Sequence, residues 1–255
     1  MRVTVLGCGA SAGVPLVGCR CAVCRSDNPK NKRLRVSVLV EEAGKKVLVD
    51  TSPDLRAQCL AHDVSQVDAI IFTHDHADHT HGIDDVRSFN YHAEREIPIL
   101  GDAPTLQALQ SRFPYAFLEK PSINWMRPTL APRALEYGRE EEVAGLRVLP
   151  FKQLHGKVVT MGLRFGKFAY STDVNALDDT AFAALAGVDT WMVDSLRYTP
   201  SYSHANLELT LSWVARLRPR RAILTHMAHD LDYDTLRREL PPGVEPAYDG
   251  MVIDL

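Results

Sequence analysis

The chain has 255 residues, of which 45% are hydrophobic and 24% charged, and its net charge is −3. The 29 basic residues are spread along the chain, which argues against long nucleic acid as a partner, since that needs a concentrated basic face. No apolar run reaches the roughly 18 residues of a membrane span, and the stretch before Cys8 is too short for a signal sequence. We therefore expect no membrane partner.

Strands and helices alternate along most of the chain after an early hairpin. The predicted strands cover residues 2–6, 36–41, 46–50, 69–73, 97–100, 146–151, 161–165, 168–171, 190–193, 222–225 and 251–254. The predicted helices cover residues 53–62, 79–90, 104–113, 178–186, 207–217 and 233–240. This order favours an α/β (α+β) protein with two mixed sheets packed together and helices outside. Because no linker or internal repeat divides the chain, we expect a single domain over residues 1–255.

Three cysteines crowd into six residues near the N-terminus: Cys19, Cys21 and Cys24. They are too close in sequence to pair comfortably as disulfides, and the chain has an odd total of five cysteines. This usage favours a reducing compartment, so we expect a cytoplasmic protein. Three thiolates and one further ligand would complete a closed structural zinc site. The alternative is a set of loop thiols that bind no metal.

The most informative motif directly follows the apolar run 69–72. Seven residues, 73–79, hold three imidazoles and two carboxylates, in the order Thr-His-Asp-His-Ala-Asp-His. Imidazole nitrogen and carboxylate oxygen are ligands that zinc and manganese accept. The alternative is a polar surface loop that is rich in histidine, but so many crowded ionisable groups need a compensating charge. The motif therefore predicts a metal site at the end of a buried strand.

Three later strands also end in, or lead directly into, a histidine or an aspartate. These residues are His155, Asp173 and His226. Taken singly, His155 before Gly156 also fits an ordinary turn, and Asp173 also fits a local cap. Together with the 73–79 motif, they give four strands that deliver metal-binding side chains at their carboxyl ends, as a shared site needs.

The pattern T-H-x-H-x-D-H, followed by a lone histidine, a lone aspartate and a last histidine, resembles that of the metallo-β-lactamase superfamily over nearly the whole chain. The resemblance implies a four-layer αββα sandwich, with two mixed sheets flanked by helices. It also implies a first divalent metal, zinc or manganese, held by His74, His76 and His155. A second would be held by Asp78, His79 and His226, with Asp173 bridging the two. Seven ligands suit two such metals better than one tetrahedral zinc.

Gly13-Val14-Pro15 before the cysteine cluster is similar to a phosphodiesterase branch of this superfamily, the RNase Z-like branch with the cyclic-phosphate phosphodiesterases of carbon–phosphorus lyase pathways. That resemblance implies His229 as the fourth ligand of a structural zinc beside the 19–24 loop. It also implies His204 as the general acid, since imidazole titrates near the working pH. His204 and Asp78 are the predicted catalytic residues. Asn206, two residues after His204, also fits the N-cap of the following helix, and this cap is compatible with an acid role for His204.

Three further residues are candidates with a weaker basis. Asp50 ends a strand and resembles the carboxylate that orients a metal-bound histidine in this family. Asp194 has a similar strand-end position. Arg87 follows the metal motif and is a candidate contact to a substrate phosphate, although a solvated helix face explains it as well.

The predicted function is dinuclear-metal-dependent hydrolysis of small cyclic or nucleotide-like phosphodiesters by metal-bound hydroxide. The predicted cofactors are two divalent metals, zinc or manganese, and one structural zinc. One alternative is a tRNA 3′-processing endonuclease of the RNase Z type. Another is a thioester or lactone hydrolase of the glyoxalase II or lactonase kind, in which the cysteine cluster is not expected. A non-enzymatic scaffold is disfavoured because no expected ligand is missing, and the resemblance alone suggests a homodimer.

Overall fold

The computed structural model describes residues 1–119 and 126–255. The strands are β1 (Arg2–Gly7), β2 (Ser37–Glu42), β3 (Lys45–Val49), β4 (Ala69–Ile71), β5 (Ile97–Gly101), β6 (Leu130–Ala134), β7 (Glu141–Val143), β8 (Leu146–His155), β9 (Val158–Phe165), β10 (Phe168–Ser171), β11 (Thr190–Asp194), β12 (Arg221–Thr225), β13 (Val244–Pro246) and β14 (Val252–Asp254). The helices are α1 (Ala22–Arg25), α2 (Leu55–Ala61), α3 (Ala77–Thr80), α4 (Arg87–Ala93), α5 (Ala103–Arg112), α6 (Asp179–Leu185), α7 (Leu207–Leu217) and α8 (Tyr233–Glu239). Within the two described ranges, no helix has the length and hydropathy that a membrane span requires.

Two seven-stranded sheets carry the fold. The first has the order β14-β1-β2-β3-β4-β5-β6 and the second the order β13-β12-β11-β10-β9-β8-β7. Each sheet is mixed: β3 to β6 run parallel in the first, β10 to β13 run parallel in the second, and the other pairs are antiparallel. Helices pack outside both sheets, so the predicted αββα class is confirmed.

Both faces of the first sheet are buried, and alternating side chains of its strands serve two different cores. On β2, Val38 and Val40 belong to the core shared with the second sheet, whereas Leu39 belongs to the core beneath the helices. Strand β4 repeats this alternation, with Ile71 facing the second sheet and Ile70 facing the helices. A strand that is buried on both faces reads as a continuous apolar run, and such runs made these strands recognisable.

The predicted helix over residues 79–90 is wrong as one element. The chain instead forms α3, a 3-10 turn at Ile83–Val86, and then α4. Gly82 interrupts the helix because the chain passes so close to Ser52 that a Cβ at this position would lie 2.1 Å from the Ser52 carbonyl oxygen. The Gly82 N–H also donates to the Thr51 carbonyl over 2.9 Å, so a tertiary contact replaces the helical hydrogen bond.

Three short strands were not predicted: β6, β7 and β13. All three are edge or near-edge strands, and β6 and β13 contain a proline. Proline removes a ladder donor and argues against a central strand, but an edge strand tolerates it.

Candidate active site

Four strand ends meet at one edge of the sandwich. The segment after β4, which leads into α3, carries residues 74–79, β8 ends at His155, Asp173 follows β10, and His226 follows β12. The structure brings all seven sequence-predicted ligands together there. His76 is half-buried, and the other six ligand side chains are buried: His74, Asp78, His79, His155, Asp173 and His226.

The ligand atoms form two groups that share one residue. The first group is His74, His76, His155 and Asp173, and the second is Asp78, His79, Asp173 and His226. Within each group all ligand atoms lie within 4.8 Å of one another. This is the same division that the sequence resemblance implied.

Asp173 lies between the two groups and directs one carboxylate oxygen toward each. Its Oδ1 lies 3.7 Å from His155 Nε2 and 3.9 Å from His74 Nε2. Its Oδ2 lies 3.0 Å from His79 Nε2 and 3.4 Å from His226 Nε2. Asp173 holds a left-handed backbone conformation, with φ of 51°, which turns its side chain inward directly after β10. The carboxylate therefore has the geometry of a bridge.

Buried acceptors fix the orientation of three of the ligand rings. Asp50 Oδ2 accepts from His79 Nδ1 over 2.7 Å, and the Ser203 carbonyl accepts from His155 Nδ1 over 2.6 Å. Thr73 Oγ1 donates to Asp50 Oδ2 and accepts from His74 Nδ1, over 2.9 and 3.1 Å. In each ring Nδ1 is engaged and Nε2 points into the cluster, as metal-binding histidines require. The sequence pointed to Asp50, whereas Thr73 and Ser203 carried no signal for this role.

Asp50→Asn is expected to weaken metal binding by roughly tenfold to hundredfold, because an amide at this position no longer holds His79 as a strong charged acceptor does. The free metal concentration that half-saturates activity measures this change. Asp68→Asn, at the far end of the same sheet beside Lys45, is the matched control. An unchanged half-saturation point in Asp50→Asn would show that Asp50 does not orient a ligand.

The carboxylates and imidazoles of the cluster shift one another's pKa values strongly. Burial alone lowers the pKa of His226, but the Asp173 and Asp78 carboxylates outweigh it and raise this pKa to about 9. Burial also lowers the pKa of His79, and the carboxylates Asp173, Asp50 and Asp78 reverse that effect and hold the pKa well above its usual value. Conversely, burial raises the pKa of Asp78, but the neighbouring His79 more than offsets this and keeps the pKa below its usual range.

Several buried ligand atoms have no hydrogen-bond partner among the described residues. They are His74 Nε2, Asp78 Oδ2, His79 Nε2 and His226 Nε2. Buried polar atoms are nearly always satisfied, so four atoms without a partner in one cluster need an explanation. Nitrogen and oxygen donors in this number suit zinc or manganese. The residues present therefore fit divalent metal ions.

His204 and Asp194 form a hydrogen-bonded pair at the rim of the cluster. Asp194 Oδ2 accepts from His204 Nδ1 over 2.8 Å and from the Val174 N–H over 3.0 Å. His204 Nε2 points toward the cluster, 3.9 Å from Asp173 Oδ1. Asn206 caps α7 through its side chain, so the cap and the inward-facing histidine occur together as expected. An imidazole that is oriented by a carboxylate in this way suits proton transfer.

The three cysteines and His229 form a group separate from the histidine–aspartate cluster, to which His226 belongs. Cys19, Cys21, Cys24 and His229 bring their ligand atoms within 4.8 Å of one another. Cys21 Sγ lies 3.5 Å from His229 Nδ1, and Cys19 Sγ lies 3.7 Å from the same atom. The Cys24 N–H and then His229 lower the pKa of the Cys21 thiol to about 6. Three sulfurs and one imidazole in this arrangement fit a tetrahedral zinc site.

Cys21→Ser is expected to reduce the zinc content by one ion per chain and to lower the thermal midpoint by roughly 10 °C, because a bound metal stabilises the folded state. Metal analysis of the purified protein and a thermal melt measure both effects. Cys59→Ser, at a half-buried cysteine outside the cluster, is the matched control. Equal zinc content in the two variants would contradict a structural zinc at Cys21.

A buried arginine holds the segment that serves both sites. Arg33 is 1% exposed and donates to the carbonyls of Ala228 and Leu231 over 3.0 and 2.6 Å. It thereby fixes the chain on either side of His229, three residues after His226. Sequence reasoning missed Arg33 because an arginine in a polar stretch carries no signal of burial.

The structure does not bring Arg87 to the cluster. Arg87 is half-exposed, lies 3.6 Å from Asp84, and lines a cavity of about 440 Å³ between α2 and α4. In the described part of the chain it forms no hydrogen bond or ion pair with the seven ligands.

A different arginine, Arg112, reaches the segment that carries the metal motif. Its guanidinium donates to the main-chain oxygen of Asp75 and, over 2.9 Å, to the carboxylate of the same residue. Arg112 thus pins the turn between His74 and His76.

Two mixed sheets with a cluster of histidines and aspartates at their strand ends define a metal-dependent hydrolase of the metallo-β-lactamase fold. The family model of the beta-lactamase superfamily domain matches residues 45–227, and the chain belongs to this family. The predicted superfamily and the hydrolase class are therefore confirmed, and the fold implies divalent metals.

Several solved structures share this architecture along the whole chain. The crystal structure of a new diphosphatase from the PhnP family is 35% identical to this chain, with a TM-score of 0.92. The match covers 100% of this chain and 97% of that one. Zinc-bound PqqB from Methylobacterium extorquens is 20% identical with a TM-score of 0.82, and 100% of each chain is covered. The short form of human tRNase Z is 16% identical with a TM-score of 0.69, covering 100% of this chain and 99% of that one. The last two show the fold alone.

Among curated proteins, an octanoyltransferase from Porphyromonas gingivalis is 33% identical over 254 residues. The match covers 98% of this chain but 51% of that protein. The chain therefore spans about half the length of this relative.

Proposed function

We propose that this chain is a dinuclear-metal-dependent phosphodiesterase that hydrolyses small cyclic or nucleotide-like phosphodiesters. The observation that carries the proposal is the placement of Asp173, whose two oxygens face two separate ligand groups. The whole-chain similarity to a diphosphatase of the PhnP family supports phosphate ester chemistry. When bound, two divalent cations, zinc or manganese, supply an activated water and stabilise negative charge on the phosphoryl oxygens.

The proposed roles follow from where each side chain points. His74, His76 and His155 hold the first cation, Asp78, His79 and His226 hold the second, and Asp173 binds both. His204, held by Asp194, protonates the leaving oxygen from the rim of the cluster. Cys19, Cys21, Cys24 and His229 hold a structural zinc apart from the reaction. Small substrates are favoured because the net charge of −3 argues against electrostatic binding of long nucleic acid.

The test is a substrate panel on metal-replete protein. We expect hydrolysis of bis(4-nitrophenyl) phosphate and of a 2′,3′-cyclic nucleotide, with no trimming of precursor tRNA and no turnover of S-lactoylglutathione. Efficient tRNA trimming would instead favour an RNase Z-type nuclease. Turnover of the thioester without any phosphodiesterase activity would overturn the proposal.

Acyl thioester hydrolysis is the second candidate, since a relative that matches 98% of this chain carries the name octanoyltransferase. The argument is weaker because the chain spans about half of that protein. A synthetic octanoyl thioester added to the panel decides between the two: rapid thioester cleavage beside inert phosphodiesters would favour the acyl activity.

A further inference from the structure

The loop between β11 and α7 carries an exposed tyrosine beside the cluster. Tyr202 is 71% exposed, and it directly precedes Ser203, whose carbonyl accepts from His155 Nδ1 over 2.6 Å. His204 follows one residue later. The two residues that follow Tyr202 are therefore a contact to a proposed metal-binding histidine and the proposed general acid.

One edge of the Tyr202 ring lies close to Gly156. A Cβ at Gly156 would lie 2.9 Å from Tyr202 Cε1 and 3.3 Å from Ser203 Cβ, so a larger residue would displace the ring. Gly156 also has a φ of +62°, and its N–H donates to Asn175 Oδ1 over 2.7 Å. Gly156 directly follows His155, so the ring lies beside a residue of the cluster with most of its surface open to solvent.

A single exposed aromatic residue is ordinary on a protein surface, but Tyr202 is distinguished by its position beside the cluster. An exposed planar ring next to a proposed phosphate-binding centre offers a surface on which another planar ring can stack. Base–aromatic stacking tolerates different bases because every base has a π-face. The ring would contact the organic part of a substrate while the cluster holds the phosphate.

We infer that Tyr202 is a specificity-determining residue that stacks on the nucleobase of a nucleotide-like phosphodiester. This inference rests on the proposed phosphodiesterase function and narrows its substrate class to esters that carry a base. Tyr202 takes no part in bond cleavage, so it affects substrate binding rather than the chemical step.

The experiment compares two cyclic phosphodiesters on metal-replete protein: 2′,3′-cyclic AMP, which carries a base, and glycerol 1,2-cyclic phosphate, which does not. Tyr202→Ala is expected to raise KM for 2′,3′-cyclic AMP by about tenfold, with kcat changed by less than about twofold. The kinetics of the glycerol ester are expected to stay the same. Tyr202→Phe, which keeps the ring, is expected to retain the wild-type KM.

Tyr198→Ala is the matched control, because Tyr198 lies on the same loop and is 39% exposed. Burial, and then the charges of Glu239, Asp230 and Asp232, raise the pKa of Tyr198. An equal change in KM for both esters in Tyr202→Ala, or no change for either, would overturn the inference.

A binding measurement separates this inference from the proposed function. If wild-type protein cleaves neither ester, the phosphodiesterase proposal fails. The affinity for AMP, measured by calorimetry, then decides the role of Tyr202. Weaker AMP binding by about tenfold in Tyr202→Ala supports stacking, whereas equal affinity, or no AMP binding to wild type, refutes it.

Discussion

Asp173→Asn is expected to lower kcat/KM for a phosphodiester by about a thousandfold. The carboxylate has Oδ2 3.0 Å from His79 Nε2 and Oδ1 3.7 Å from His155 Nε2, so each oxygen serves one ligand group. Asparagine keeps the shape but replaces one oxygen with an amide NH₂, which does not bind a metal cation. Steady-state kinetics together with metal analysis are expected to show both the loss of activity and the loss of one active-site metal per chain.

Asp179→Asn is the matched control for this substitution. Asp179 lies on α6, its side chain is 93% exposed, and its partner is Arg216 on the surface. We expect wild-type kinetics and metal content in the control. An Asp173→Asn variant that keeps both metals and most of its activity would show that this carboxylate does not bridge.

His204→Ala is expected to produce the second large effect, and its size is expected to depend on the leaving group. With 2′,3′-cyclic AMP, whose alkoxide needs a proton, kcat is expected to fall by about a thousandfold. With bis(4-nitrophenyl) phosphate, the fall is expected to stay below about tenfold, because nitrophenolate leaves without protonation. His204 Nε2 faces the cluster and its Nδ1 bonds Asp194 over 2.8 Å, which is the arrangement that this behaviour requires.

The control for His204→Ala is His92→Ala, at an exposed histidine on α4. The two substrates are expected to react at wild-type rates in the control. If His204→Ala slows both substrates by the same factor, then His204 holds the substrate or a metal and is not the acid.

The candidate metal ligands were predictable because their signal is local. Residues 73–79 concentrate five ionisable groups behind a buried apolar run, and His155, Asp173 and His226 each follow a recognisable strand. Parallel strands such as β10 and β12 end at the same edge of a sheet, so strand order brought Asp173 and His226 close, and the packing of the two sheets adds the residues after β4. The superfamily resemblance then divided them into two groups, and the structure has the same division.

The supporting contacts were not predictable, because they depend on main-chain groups that any residue offers. The Ser203 carbonyl orients His155, and the carbonyls of Ala228 and Leu231 hold Arg33. Gly82 likewise ends a helix only because Ser52, far away in sequence, packs against it. Arg87 is the converse case: its place after the metal motif allowed either a phosphate contact or a solvated helix face, and in the structure it lies half-exposed beside Asp84.

The most direct test of the two-metal account is a titration of chelator-treated protein with zinc or manganese while the hydrolysis of bis(4-nitrophenyl) phosphate is followed. We predict that activity rises to a plateau at two bound equivalents per chain, with the zinc at the cysteine cluster retained throughout chelation. A plateau at one equivalent, or a metal-saturated protein that cleaves no phosphodiester, would contradict the account.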